Sequence, residues 1–130
     1  MSINNALASL AVKDLSTAVE WYAKVLGKAP DSRPMPEVAE WKFERGGWLQ
    51  VYQLPERAGS GSFTLAVTNI DDHVAHLTSL GIDTSQRSSG VTVKTLMVAD
   101  PDGNHIAFAE TQPAAMGRRR SISSGRDGER

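Results

Sequence analysis

The chain has 130 residues, a formal net charge of −1 and ordinary apolar and charged fractions, enough for one compact domain or two half-size modules sharing a core. The near-neutral charge gives no basis for a nucleic-acid or acidic-membrane partner. With no cysteine, disulfides, thiolate nucleophiles and Cys-ligated metals are excluded, and no stretch approaches the ~18 apolar residues of a membrane span. No basic start precedes an apolar run at the N-terminus, so a cytoplasmic location is expected.

In chain order, Ala6 to Val12 reads as a strand with Leu10 and Val12 on one face and Ser9 and Ala11 on the other. Asp14 or Ser16 offers an N-cap for a helix carrying Leu15, Val19, Tyr22, Val25 and Leu26 as its apolar stripe, ended by Gly27. Ala29 to Arg33 is expected to form a short strand, with Pro34 and Pro36 breaking it or placing it at an edge. Val38 to Glu44 alternates. Ala39, Trp41 and Phe43 share one side, and Glu40, Lys42 and Glu44 the other, read as a solvated face together with Glu37. Trp48 to Gln53 is the return strand after the Glu44-Arg45-Gly46-Gly47 turn.

Pro55, Gly59, Ser60 and Gly61 mark a linker, after which the pattern restarts. Phe63 to Val67 is a strand, and Asn69 or Asp71 caps a helix with the stripe Ile70, Val74, Leu77 and Leu80, ended by Gly81. Ile82 to Arg87 is expected to be a strand and Ser88-Ser89-Gly90 a turn. A closing hairpin runs from Val91 to Val98, through Asp100-Pro101-Asp102-Gly103-Asn104, and out along Ile106 and Phe108. Pro101 sets φ in that turn and Gly103 takes positive φ without a Cβ clash.

The chain is thus one module written twice, each βαβββ: module 1 about 6–54, a linker at 55–62 and module 2 about 63–110. The expected class is α+β, with residues 1–110 one domain and the two modules forming a curved, cleft-bearing mixed sheet with helices on the outside. Residues 111–130, rich in Gly, Ser, Arg and Pro, are read as a flexible basic tail.

If Leu49, Val51, Ile106 and Phe108 pack under the helices, alternation assigns Trp48, Gln50, Tyr52, Ser62, Thr64 and His105 to the opposite face. These six are the candidate ligand-binding residues. Trp48 and Tyr52 either stack on a planar ligand or fill a dimer or inter-module core. His105 is either a polar contact or base, or a half-exposed strand residue. His73 and His76 lie one turn apart on a helix face expected to be polar and solvated.

The duplicated order resembles the vicinal oxygen chelate superfamily, which includes glyoxalase I and the bleomycin-resistance proteins. The resemblance rests on Leu10-Ala11-Val12-Lys13-Asp14-Leu15, on the helix from Ala18 with Trp21-Tyr22 to Val25-Leu26-Gly27, and on Asp100-Pro101-Asp102-Gly103-Asn104. It implies metal ligands on each opening and return strand. Carried over, those positions fall on Leu7, Gln50, Ser62 and Ala107, none of them His, Asp or Glu. The resemblance therefore implies no catalytic residue, no cofactor and no metal. It points to a bleomycin-resistance-like protein that binds an apolar or aromatic small molecule, with an antibiotic among the candidates, as a homodimer. Two alternatives stay open. One is a superfamily enzyme of lyase, isomerase or dioxygenase type, with relocated metal ligands or His105 as base. The other is a structural module whose cleft its own side chains fill.

Overall fold

A computed structural model describes residues 1–111. Its elements are β1 (Leu7–Val12), α1 (Leu15–Leu26), β2 (Ser32–Met35), β3 (Val38–Lys42), β4 (Trp48–Gln53), β5 (Ser62–Ala66), α2 (Ile70–Ser79), β6 (Arg87–Ser89), β7 (Val93–Ala99) and β8 (His105–Thr111), with a single 3-10 turn at Pro55–Arg57. The order βαβββ occurs twice. The expected tail lies outside the described residues, apart from Thr111.

The strands form two separate four-stranded sheets, ordered β1-β4-β3-β2 and β5-β8-β7-β6. This overturns the expectation of one curved, cleft-bearing mixed sheet. The reason is local. In module 1 the crossover helix α1 delivers β1 parallel to β4, and antiparallel pairing adds β3 and β2. Every ladder is satisfied inside its own module, so each sheet is open, with β1 and β2 as the edges of one and β5 and β6 as the edges of the other. Pro34 sits in edge strand β2, where a missing N–H is tolerated.

By contacts the chain divides into two compact units. One is Met1–Phe63 with Ala99–Ile106; the other is Thr64–Val98 with the described residues that follow Ile106. In the first unit, Asp14 caps α1, its carboxylate accepting from the Thr17 backbone N–H at 2.9 Å and hydroxyl at 2.7 Å. Those bonds hold the Asp14 carboxyl below its ordinary range. Gly27, at φ 80°, ends the helix in the left-handed conformation, and its N–H donates to Ala23 O. Leu15, Ala18, Tyr22 and Val25 are buried on α1, against Leu10, Val12, Ala39, Trp41, Leu49 and Val51 from one face of the sheet. Trp41 is fully buried, with its indole N–H donating to Lys28 O at 2.9 Å. Phe43 falls outside β3, in the turn where its N–H donates to Gly47 O.

In the second unit, Asn69 caps α2 by accepting from the Asp71 N–H, and Glu110 Oε1 accepts from the Ile70 N–H at 2.8 Å. Ile70, Leu77, Leu96, Val98 and Phe108 are buried. Two boundaries differ from the sequence reading. The strand expected at Ile82 to Arg87 is only Arg87–Ser89, and the turn comes later, where Gly90 N–H donates to Val93 O. Leu80, expected in the apolar stripe, is 38% exposed. His73 is not on a solvated face: it is half-buried, its ring centroid 5.4 Å from that of Phe108. Burial holds its imidazole below the usual pKa, partly opposed by the Asp72 carboxylate and reinforced by His76.

Candidate functional site

The face of the first sheet opposite α1 is set by register. Antiparallel pairing places Lys42 beside Trp48, Glu40 beside Gln50 and Val38 beside Tyr52. Parallel pairing places Leu7, Ser9 and Ala11 beside the same three residues on the other side. Alternation puts all nine side chains on one face. The turn fixes this register: Gly46, at φ 97°, donates to Phe43 O, and Phe43 donates to Gly47 O.

Across the middle of that face runs a hydrogen-bonded row. The Ser9 hydroxyl donates to Gln50 Oε1 at 3.3 Å, Gln50 Nε2 donates to Glu40 Oε2 at 2.7 Å, and the Ser32 hydroxyl donates to Glu40 Oε1 at 3.0 Å. The row draws one side chain from each of β1, β4, β3 and β2; Gln50, Glu40 and Ser32 are half-buried and Ser9 is exposed. Glu40 is the candidate site residue that sequence reasoning missed. Its alternation with Lys42 and Glu44 reads as a solvated face, but the hairpin pairs it with Gln50. A usable signal was the Gly46-Gly47 turn, which sets that pairing once its centre is chosen.

Trp48, Gln50 and Tyr52 are half-buried on β4 and point the same way. One side of the Trp48 ring is covered by the Lys42 ammonium, 4.6 Å from the ring centroid. Ser62 and Thr64 stand exposed on β5, and His105 stands exposed on β8. The six sequence-expected residues therefore divide, three on each sheet. His105 sits beside the closing turn, with its backbone N–H donating to Gly61 O at 3.0 Å.

The superfamily's metal positions hold an exposed Leu7, the hydrogen-bonded Gln50, an exposed Ser62 and a half-buried Ala107. Among the described residues there is no group of three or more His, Asp or Glu side chains that could hold a metal ion. Gln50 contributes one neutral oxygen, already occupied by Ser9. This donor set does not fit a divalent metal. None of the helices among the described residues is long and apolar enough to cross a membrane.

The Asp100-Pro101-Asp102-Gly103-Asn104 turn is a buried clamp rather than a binding element. Asn104 is fully buried and Asp100 nearly so. Asn104 Oδ1 accepts from the N–H groups of Gly59 and Gly61, at 3.1 and 2.8 Å, while its Nδ2 donates to Ala11 O and to Asp100 Oδ2.

Residues 8–109 match the glyoxalase-like domain family. Among solved structures, a glyoxalase/bleomycin resistance protein from Catenulispora acidiphila is 32% identical over 83% of this chain and 98% of that one, with a TM-score of 0.76. An antibiotic-binding protein from Streptomyces sp. CB03234 is 22% identical over 86% of this chain and 99% of that one, with a TM-score of 0.71. TioX from Micromonospora sp. ML1 is 20% identical over 84% and 99%, with a TM-score of 0.71. The last two likenesses show the shared fold. No curated protein matches the chain.

Proposed function

The chain belongs to the glyoxalase-like domain family of the vicinal oxygen chelate superfamily, and we propose that it is a binding protein of the bleomycin-resistance type that takes an apolar or aromatic small molecule without a metal ion. The observation that carries this reading is the face around β4. Two half-buried aromatic side chains, Trp48 and Tyr52, flank a polar row whose members are already oriented by one another. That is the composition of a small-molecule site, apolar walls with a few fixed polar groups. The donor set at the superfamily's metal positions offers no hard-ligand cluster.

The relatives support the same direction. The Catenulispora protein is named for bleomycin resistance and the Streptomyces protein for antibiotic binding. We extend the reading to a single domain over residues 1–110 acting as a homodimer in the cytoplasm. Ser62, Thr64 and His105 are likewise proposed as ligand-contacting residues. An enzyme using His105 as base gains no support from the exposed position of that residue.

Native mass spectrometry of the protein purified from its own cells tests the reading, together with elemental analysis after dialysis. A retained organic adduct and no stoichiometric metal are expected. About one zinc, nickel, manganese or iron per chain would overturn it.

A further inference from the structure

We infer that Glu40 selects the ligand by charge, so that the molecule bound beside Trp48 and Tyr52 carries a cationic nitrogen on its aromatic or apolar body. The inference rests on the binding reading above and adds a chemical class to it.

Glu40 is a half-buried carboxylate in the centre of the open face of the first sheet. Both side chains that orient it are neutral: the Ser32 hydroxyl on Oε1 and the Gln50 amide on Oε2. Hydrogen bonds fix the carboxylate's direction but leave its full charge. The cation on the same face of the same strand is Lys42, and its ammonium lies over the Trp48 ring at 4.6 Å. A carboxylate has about four acceptor sites. Ser32 and Gln50 use two, so lone pairs remain on each oxygen for an incoming N–H.

Such an arrangement is pre-organised for a cation. Half-burial weakens solvent screening, so one charge-assisted hydrogen bond discriminates more strongly than on an open surface. The Gln50 amide also keeps a second N–H and the Ser9 hydroxyl keeps acceptor capacity, which suits a ligand with neutral polar groups beside its cation. An anionic ligand would have to sit against Glu40 and would be rejected.

Two planar dyes of similar shape and opposite charge test this: 9-aminoacridine, a cation at neutral pH, and acridine-9-carboxylate. Fluorescence titrations would use the full chain, Glu40→Gln and Trp48→Ala. The wild type should favour the cation by about tenfold or more. Glu40→Gln should bring the two affinities within about threefold, with an unchanged melting temperature, while Trp48→Ala should weaken both dyes. Equal binding of the two dyes by the wild type, both weakened by Trp48→Ala, would overturn the role of Glu40 and leave the binding face intact. Failure of both dyes to bind, or binding indifferent to Trp48→Ala, would overturn the face and this inference with it. Should Glu40→Gln not fold, a salt titration of the wild type decides. Cation binding that weakens from about 50 to about 500 mM NaCl supports the charge contact, and salt-independent binding overturns it.

Discussion

The Tyr22 hydroxyl donates to Asp100 Oδ2 at 2.8 Å, joining the middle of α1 to the turn between β7 and β8 with both side chains buried. Asp100 also accepts from Asn104 Nδ2 on the same oxygen, and from the N–H groups of Asp102 and Asn104 on Oδ1. Four donors thus fill the acceptor sites of a buried carboxylate. That is how its charge is tolerated there without a cation in the network. Tyr22→Phe removes one of the four and should cost about 1–3 kcal/mol in denaturant unfolding. Asp100→Asn turns an acceptor into a donor facing other donors, and should cost about 3–5 kcal/mol.

The same pair predicts an alkaline limit. Burial, then the Asp100 carboxylate, pushes the Tyr22 phenol well above its ordinary range. Below about pH 10 the phenol is neutral in both the folded and unfolded states, and its contribution is complete. Above about pH 10 the unfolded state ionises and the folded state does not, so stability falls as pH rises. Unfolding followed from pH 8 to 11 should show a shallower alkaline decline in Tyr22→Phe than in the wild type, and parallel curves would count against the burial of this phenol.

Asn104 makes a further prediction. All of its polar atoms are used: two backbone N–H groups on Oδ1, and Ala11 O and Asp100 on Nδ2. Asn104→Ala leaves Gly59 N–H, Gly61 N–H and Ala11 O without that partner, and should cost about 3 kcal/mol or more. The approach is close enough that the glycines are required. A Cβ on Gly61 would meet Leu10 Cδ1 at 2.7 Å, and one on Gly59, at φ 97°, would meet Asp102 O at 2.6 Å. Gly61→Ala should therefore destabilise by about 1–3 kcal/mol, read as a lower melting temperature.

His73 gives an acid-side prediction. Its imidazole is held below the usual pKa by burial against Phe108. As pH falls through about 6.5 the unfolded state takes up a proton before the folded state does, so stability declines. The contribution is complete above about pH 6.5 and shrinks below it. His73→Phe should flatten that decline between pH 7 and 5 in thermal unfolding. A decline of unchanged slope would assign it to other groups.

Periodicity and punctuation carried most of the element order, because caps and stripes are local. Asp14, Gly27, Asn69 and Gly103 take the roles their chemistry suggests. What the sequence hides is pairing. Glu40 looks like one of three solvated glutamates until the hairpin register sets it beside Gln50. Asp100 and Asn104 look like ordinary turn formers, since a turn needs polar residues whether or not they reach into the core. The single curved sheet was over-read, because repeated order specifies ladders within a module and says nothing of hydrogen bonds between modules.

The last prediction concerns Trp48. It is half-buried, and one side of its ring carries the Lys42 ammonium, a contact worth about 0.5–1 kcal/mol at an exposed site. A planar ligand therefore either takes the other side of the ring or displaces Lys42. Trp48→Ala should cost about 1–3 kcal/mol of ligand affinity, the scale of one stacked ring. Its cost in stability should stay below the roughly 3–5 kcal/mol of removing a fully buried aromatic residue. With an uncharged planar ligand, Lys42→Ala separates the two geometries: affinity rises if Lys42 must be displaced and is unchanged if the ligand uses the other side. Trp41 is fully buried and bonded to Lys28 O, so replacing it to simplify the fluorescence would perturb the core. The Trp48 signal is better isolated as the difference between the wild type and Trp48→Phe. A ligand-dependent change in that difference spectrum is expected. A large stability loss in Trp48→Ala with unchanged affinity would place this ring in a structural interface instead.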